Sequence, residues 1–416
     1  MMKLAIINSV AGYGSTGKLA EMLGNTEGDQ YRFYYGRKSA AADLKGARRK
    51  TLQDESHFYF GSTASFAGHM IKTFLSDSQG FESTAETERM IADLRAFEPD
   101  LVHLHNLHGY YLNAELLFAY LKESGVPVVW TLHDCWAFTG HCAHYTSVGC
   151  EKWKTGCRNC PAALHYPPTF NPNNTEKNLA RKKEVFTSLR PDQMTIVTPS
   201  VWLKEEAEQS FLSRYPIRAI PNGIDTSVFT RRESSFRKDH GIEDRFMILA
   251  VAGNWYKEKG SEDLEKLAQN LPEGTVLTAV GVKGALKRKL QSAGVIALER
   301  TENAVELAEI YSAADVFINL TQEDTFPTVN IEALSCGCPV ITYAVGGSPE
   351  IITGDTGLSV PAGDLNQMLG MIKVMRDRRI VFSADTCMAR GRQFTRERMV
   401  KEYHALYLAM TGGHRE

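Results

Sequence analysis

The chain has 416 residues, a formal net charge of −2, 43% hydrophobic and 23% charged residues. That length allows two or three domains with cores of their own. The near-neutral balance argues against nucleic acid as a partner, and no apolar run reaches the roughly 18 residues of a membrane span. Met1–Ser9 holds one lysine and a short apolar strand with no longer apolar region or cleavage site behind it, so a cytoplasmic address is expected. The eight cysteines are then expected to be reduced or metal-bound rather than disulfide-bonded.

Apolar runs alternate with amphipathic helical segments along the whole chain. In the first half Leu4–Asn8, Leu101–Leu104, Pro127–Leu132 and Met194–Thr198 read as strands. Lys18–Leu23, Thr84–Phe97 and Ala114–Glu123 read as helices between them. The rhythm restarts with Phe246–Ala252, Thr275–Gly281, Gly294–Leu298, Asp315–Leu320 and Pro339–Tyr343. Two such series predict an α/β protein of two doubly wound, Rossmann-like parallel-sheet domains with a cleft between them. The boundary is expected near Ser200, giving domains 1–200 and 201–392. Residues 393–416 carry a final helix, roughly Thr395–Met410, that is expected to cross back and brace the first domain.

After the first strand come Gly12, Gly14, Ser15 and Gly17, then Lys18 and Leu19. This nearly matches the phosphate loop of nucleotide triphosphatases, but Leu19 stands where a magnesium-binding hydroxyl is required. A glycine turn that lets a ligand approach a helix start is the better reading, with a plain tight turn beside it. Two strands end in polar groups, one in His105 and Asn106 and the other in His133 and Asp134. Strand ends of that kind face the ligand edge of a parallel sheet. His103, inside its strand, reads as a core histidine.

The segment 135–161 is rich in cysteine. Cys142, Cys150, Cys157 and Cys160 would fill a tetrahedral structural zinc site, with His141 or His144 able to replace one thiol. Buried free thiols or a redox pair are the other readings. Such a closed site leaves no position for catalysis.

The stretch Asp324–Glu350, DTFPTVNIEALSCGCPVITYAVGGSPE, joins two apolar strands through a turn and a helix. It places Asp324 and Glu332 around a helix start, with Glu323 just before and Glu350 after a glycine pair. Helix amides suit a diphosphate and carboxylates suit sugar hydroxyls, which together describe a nucleoside diphosphate sugar. The spacing Asp324-x7-Glu332 followed by Gly-Gly-x-x-Glu resembles retaining family-4 glycosyltransferases of the GT-B fold, of the bacterial cell-envelope polysaccharide type. Asn222-Gly-Ile-Asp225 with Phe229 matches that family's N-G-I-D-x-x-x-F signature.

The resemblance implies roles. His133 would contact the donor sugar, with His105 and Asn106 on the acceptor side. Glu332 would bind the ribose and Asp324, or Glu323, the sugar hydroxyls. Phe326, Pro327 and Thr328 would lie near the sugar and diphosphate, as would Gly12, Gly14 and Ser15. Lys259 would grip the diphosphate. The family's usual arginine is replaced by Asn254, so a second cation is expected from Lys257 or Lys283, or from helix amides. With no D-x-D motif, no cofactor is required for the chemistry. The implied reaction moves a hexosyl or deoxyhexosyl group from a UDP- or GDP-linked sugar to a glycan or lipid-linked hydroxyl, with retention, in polysaccharide or lipopolysaccharide assembly. The departures at Asn254 and Asp324 leave open a catalytically degenerate binding subunit, and Leu19 leaves an NTPase as the lesser alternative. The basic stretch Arg37–Lys50 and the amphipathic Ala64–Leu75 would allow peripheral contact with the inner membrane.

Overall fold

The computed structural model describes residues 1–24, 28–38 and 56–412. The chain divides into two compact units, Met1–Ile220 with the segment from Val400 onward, and Pro221–Met399. The first holds a parallel sheet of seven strands, β1 Lys3–Asn8, β2 Gln30–Tyr35, β3 His57–Tyr59, β4 Leu101–Leu104, β5 Val128–Thr131, β6 Met194–Thr198 and β7 Ile217–Ala219. Their spatial order is β3-β2-β1-β4-β5-β6-β7.

The second unit's sheet has six parallel strands, β8 Phe246–Val251, β9 Thr275–Val280, β10 Ile296–Leu298, β11 Val316–Asn319, β12 Val340–Tyr343 and β13 Gly357–Val360. They run in the order β10-β9-β8-β11-β12-β13. Each sheet therefore reverses its winding once, between β1 and β4 and between β8 and β11. Such a switch point, outside the carboxyl ends of the strands, is where doubly wound sheets bind ligands.

Helices cover both faces, so the central strands are apolar at nearly every position. VVWT of β5 is buried throughout. Local chemistry sets the helix ends: Asn113 accepts from the Leu116 amide at 3.3 Å to start Ala114–Ser124, and left-handed Gly125 stops it. The first core runs through Ile7, Tyr34, Leu104, Trp130 and Phe186. In the second unit one cluster contains Phe317, Ile331 and Leu334 and another contains Leu264, Leu277 and Ile318.

The first unit extends past the expected boundary. Ser200 caps the helix Val201–Glu208, and β7 still pairs with β6, so the division falls after Ile220. Four strands, β2, β3, β7 and β13, were not expected. β3, β7 and β13 are edge strands of three or four residues, and QYRFYY of the inner strand β2 opens with polar residues that are not buried. The last helix, Arg396–Met410, rejoins the first unit from Val400. There the Tyr403 hydroxyl lies 2.9 Å from Thr131 Oγ1, and the Tyr407 hydroxyl 2.7 Å from His103 Nδ1.

Candidate active site

In the second unit the chain leaves β8, passes exposed Asn254 and makes a single helical turn, Lys257–Lys259. Gly260 then adopts φ 81°, and a Cβ there would stand 2.4 Å from the Leu320 carbonyl oxygen. Only glycine lets this turn lie against the end of β11. The approach brings Lys259 onto the acidic loop. Its Nζ donates to Asp324 Oδ2 at 2.7 Å and to the Glu323 carbonyl at 3.1 Å. Burial alone would lower the Lys259 pKa, but the Asp324 carboxylate outweighs it and the pKa is raised. The cation is held in place.

Asp324 also accepts from the Phe326 amide at 3.2 Å, which shapes the loop before the helix Thr328–Ser335. Pro327 sits at the cap position and has no side-chain acceptor, so the first amides of that helix keep their attraction for an anion. One turn further, Glu332 accepts from the Tyr311 hydroxyl at 3.2 Å. Glu323 is buried at 7% exposure, which leaves Asp324 as the more open carboxylate. Phe326 departs from expectation. Its side chain is buried against Phe394, ring centroids 5.6 Å apart, so its backbone alone can meet a ligand. Lys257 and Lys283 are both exposed.

In the first unit Gly12 and Gly14 are left-handed, at φ 65° and 68°, and Ser15 is exposed at the start of the helix Gly14–Gly24. Leu19, which stands where a phosphate loop carries its magnesium-binding hydroxyl, is buried in the core. Across the switch point, Asn8 accepts from the Asn106 amide at 3.3 Å. His105 at the end of β4 and His133 beyond β5 come together, Nδ1 to Nε2 at 2.9 Å with rings stacked within 15°. His103 is a core residue, fully buried between Tyr407 and Thr131. Burial lowers His133 to about 4 and pushes His103 and His105 well below the ordinary imidazole value.

One pair escaped the sequence reading. His108 Nε2 lies 2.6 Å from Asp134 Oδ2, and His108 Nδ1 lies 3.2 Å from the Tyr166 hydroxyl. Burial would raise Asp134, but the facing His108 and the Trp136 amide outweigh it and bring the carboxyl down to about 2. The available signal was positional: His108 follows His105 by three residues, and Asp134 directly follows His133.

Among the described residues no three His, Cys, Asp or Glu side chains are grouped so as to hold a metal ion. The Cys142 and Cys160 thiols hydrogen-bond to each other, while Cys157 accepts from the Gly140 amide at 3.2 Å. Cys150, Cys157 and Cys160 pack as half-buried groups against the core.

Comparison with known proteins fits this geometry. Residues 67–228 match the profile of Glycosyltransferase Family 4, and residues 245–375 that of Glycosyl transferases group 1. WcaC of Escherichia coli K12, named for a glycosyl transfer in colanic acid biosynthesis, is 28% identical over 67% of this chain and 68% of its own length. The N-acetyl-alpha-D-glucosaminyl L-malate synthase of Bacillus anthracis is 26% identical over 52% of this chain and 59% of its own. Among solved structures, the sucrose-phosphate synthase of Thermosynechococcus elongatus superposes with a TM-score of 0.69 at 15% identity, covering 100% of both chains. Anabaena HepE, solved with UDP and glucose, gives 0.66 at 13% identity over 98% of this chain and 100% of its own. With two Rossmann-like sheets of this topology, the chain is a glycosyltransferase of the GT-B fold.

Proposed function

We propose that the protein transfers a hexosyl or deoxyhexosyl group from a UDP- or GDP-linked sugar to a hydroxyl of a glycan or lipid-linked acceptor, with retention, in polysaccharide or lipopolysaccharide assembly at the cytoplasmic face of the membrane. The observation that carries this reading is Lys259 held against Asp324 beside the start of the helix bearing Glu332. The UDP in HepE supports the donor class, and the similarity to WcaC supports the polysaccharide setting.

In this reading Lys259 and the first amides of Thr328–Ser335 offset the negative charge that builds on the departing diphosphate. Glu332 takes the ribose hydroxyls. Asp324 accepts hydrogen bonds from the sugar, whose transition state resembles an oxocarbenium ion. His133 serves the donor sugar, and His105 and Asn106 lie on the acceptor side. Asn254, replacing a cation, leaves the diphosphate more dependent on Lys259.

A thermal-shift and donor-hydrolysis screen over UDP-, GDP-, ADP- and CMP-sugars, beside Asp324→Ala and Glu332→Ala, tests the proposal. A shift and slow hydrolysis with one nucleoside diphosphate sugar, lost in both variants, supports a transferase and names its donor. Binding without turnover, even with acceptors supplied, would establish the degenerate subunit instead.

Membrane contact belongs to the same proposal. The helix Thr63–Ser76 turns His69 and Thr73 inward and leaves Ile71 and Leu75 at 56% and 67% exposure, with Phe170, 71% exposed, edge-on to Phe74. Its one charged residue is Lys72. Of the basic stretch Arg37–Lys50, residues 39–50 lie outside the described residues. Among the described residues no helix is long and apolar enough to cross a membrane. The outward face suits an interfacial position, and flotation with anionic vesicles tests it.

A further inference from the structure

We infer that His105 is a positioning residue that keeps the ring proton of His133 on Nδ1. The inference rests on the role proposed above for His133. It starts from the one hydrogen bond that joins the two imidazoles, His105 Nδ1 to His133 Nε2 at 2.9 Å. One nitrogen must donate and the other accept, so two arrangements are open to a neutral pair. If His133 donated from Nε2, His105 would accept at Nδ1 and carry its own proton on Nε2. That Nε2 is buried and has no hydrogen-bond partner among the described residues. A buried N–H without an acceptor is rarer in folded proteins than an acceptor left bare. The reverse arrangement leaves only a lone pair unmet. His105 therefore donates from Nδ1, His133 accepts at Nε2, and the His133 proton resides on Nδ1.

The surroundings hold His105 in the plane this requires. Trp130 Nε1 donates to the His105 carbonyl oxygen at 3.0 Å. The His103 ring lies over His105 at a centroid distance of 4.1 Å. His103 is itself pinned at both nitrogens, by the Tyr407 hydroxyl at 2.7 Å and Thr131 Oγ1 at 2.8 Å, and Thr131 is held by Tyr403. Burial keeps the three imidazoles neutral, which fits a pair that needs one donor and one acceptor. His133 is then an uncharged imidazole with its proton on Nδ1 and its Nε2 occupied by His105. Without His105, both tautomers and a rotated ring become available to it.

The direct measurement is a long-range 1H–15N spectrum of the ligand-free full chain labelled at histidine, with His133→Ala used to assign the ring signals. The expected result is a His133 Nδ1 shift of a protonated nitrogen and an Nε2 shift of a bare one. The opposite pattern overturns the inference and needs no variant to show it. Kinetics then separate positioning from packing, with UDP-glucose or GDP-mannose as donor, whichever supports turnover. His105→Phe keeps a ring without the donor and should lower kcat tenfold or more with donor KM within threefold of wild type. His105→Asn, which can donate from the same place, should restore kcat to within threefold. Full kcat in His105→Phe, with an unchanged His133 spectrum, would refute the role. Should His133→Ala itself retain full turnover, the assignment of His133 to the sugar fails, while the wild-type spectrum still decides which His133 nitrogen carries the proton.

Discussion

At the switch point of the first sheet the strands end in a neutral imidazole pair, with amides and the His108–Asp134 pair beside it, all tightly packed. At the switch point of the second they end in ions: Lys259 bonded to Asp324, with Glu332 a turn of helix away. The same winding thus carries opposite electrostatics. Burial decides the first case, where removing water penalises charge on His105 and His133. Proximity of opposite charges decides the second, where Asp324 keeps Lys259 cationic despite its burial. A diphosphate needs fixed cations and amides, whereas a sugar near its reacting carbon needs neutral donors and acceptors. The fold supplies a place, and the residues at the strand ends determine which chemistry occupies it.

The contrast can be broken most severely at Lys259. Lys259→Ala should reduce kcat for transfer by about a hundredfold or more, because a preorganised charge at the leaving group is removed. An effect under fivefold in steady-state kinetics would show that the ionic edge is not where the diphosphate sits.

Acid should separate the two units. An ordinary imidazole titrates near 6.5, whereas His69 and His133 are lowered to about 4 by burial, and His103 and His105 are also well below their usual value. Above pH 6.5 these histidines are neutral whether the chain is folded or not. As pH falls from 6.5 toward 4 the unfolded chain binds protons that the folded one refuses, so stability is lost, by about 1 kcal/mol per histidine at pH 5.5. Lys259, with its raised pKa, contributes no loss in that window. Hydrogen exchange at pH 5.5 against pH 7.5 should show β4 and β5 losing protection before β8 and β11. Equal loss in both sheets would contradict the contrast.

Asp134→Asn sharpens the picture on a smaller scale. It removes the charged acceptor that faces His108 and should lower the urea-derived stability by about 1–3 kcal/mol at pH 7. No change in the urea midpoint would mean that the pair is not formed in solution. The smallest effect is expected away from both edges. Ile71→Asp with Leu75→Asp should weaken binding to anionic vesicles about tenfold while leaving hydrolysis of a soluble donor intact. Unchanged flotation would remove the membrane from the account.

Much of the architecture is legible in the sequence because parallel strands buried on both faces read as unbroken apolar runs, as VVWT and Met194–Thr198 do. The short edge strands β3, β7 and β13 are harder, and so is the inner strand QYRFYY, which mixes polar and aromatic residues. The ionic edge was legible through spacing: Asp324 and Glu332 lie on one loop and helix. What spacing does not disclose is that Lys259 reaches across to Asp324 from a turn 65 residues earlier. The histidine partnerships are illegible for the same reason. His105 and His133 sit 28 residues apart and meet only because β4 and β5 pair in a particular register. In the cysteine segment spacing alone does not disclose which thiols meet, as Cys142 and Cys160 do by a hydrogen bond.

The return of the last helix has a consequence for the order in which the protein becomes complete on the ribosome. The second unit ends at Met399 and has all of its residues once that point is synthesised. The first unit, although encoded first, lacks Tyr403 and Tyr407 until the whole second unit has been synthesised. Until then Thr131 and His103 miss those hydroxyl partners beneath the histidine edge. The usual amino-terminal-first sequence of domain maturation is inverted here: the unit begun first is closed after the second, and its histidine pair cannot reach its final form before the second unit has been made.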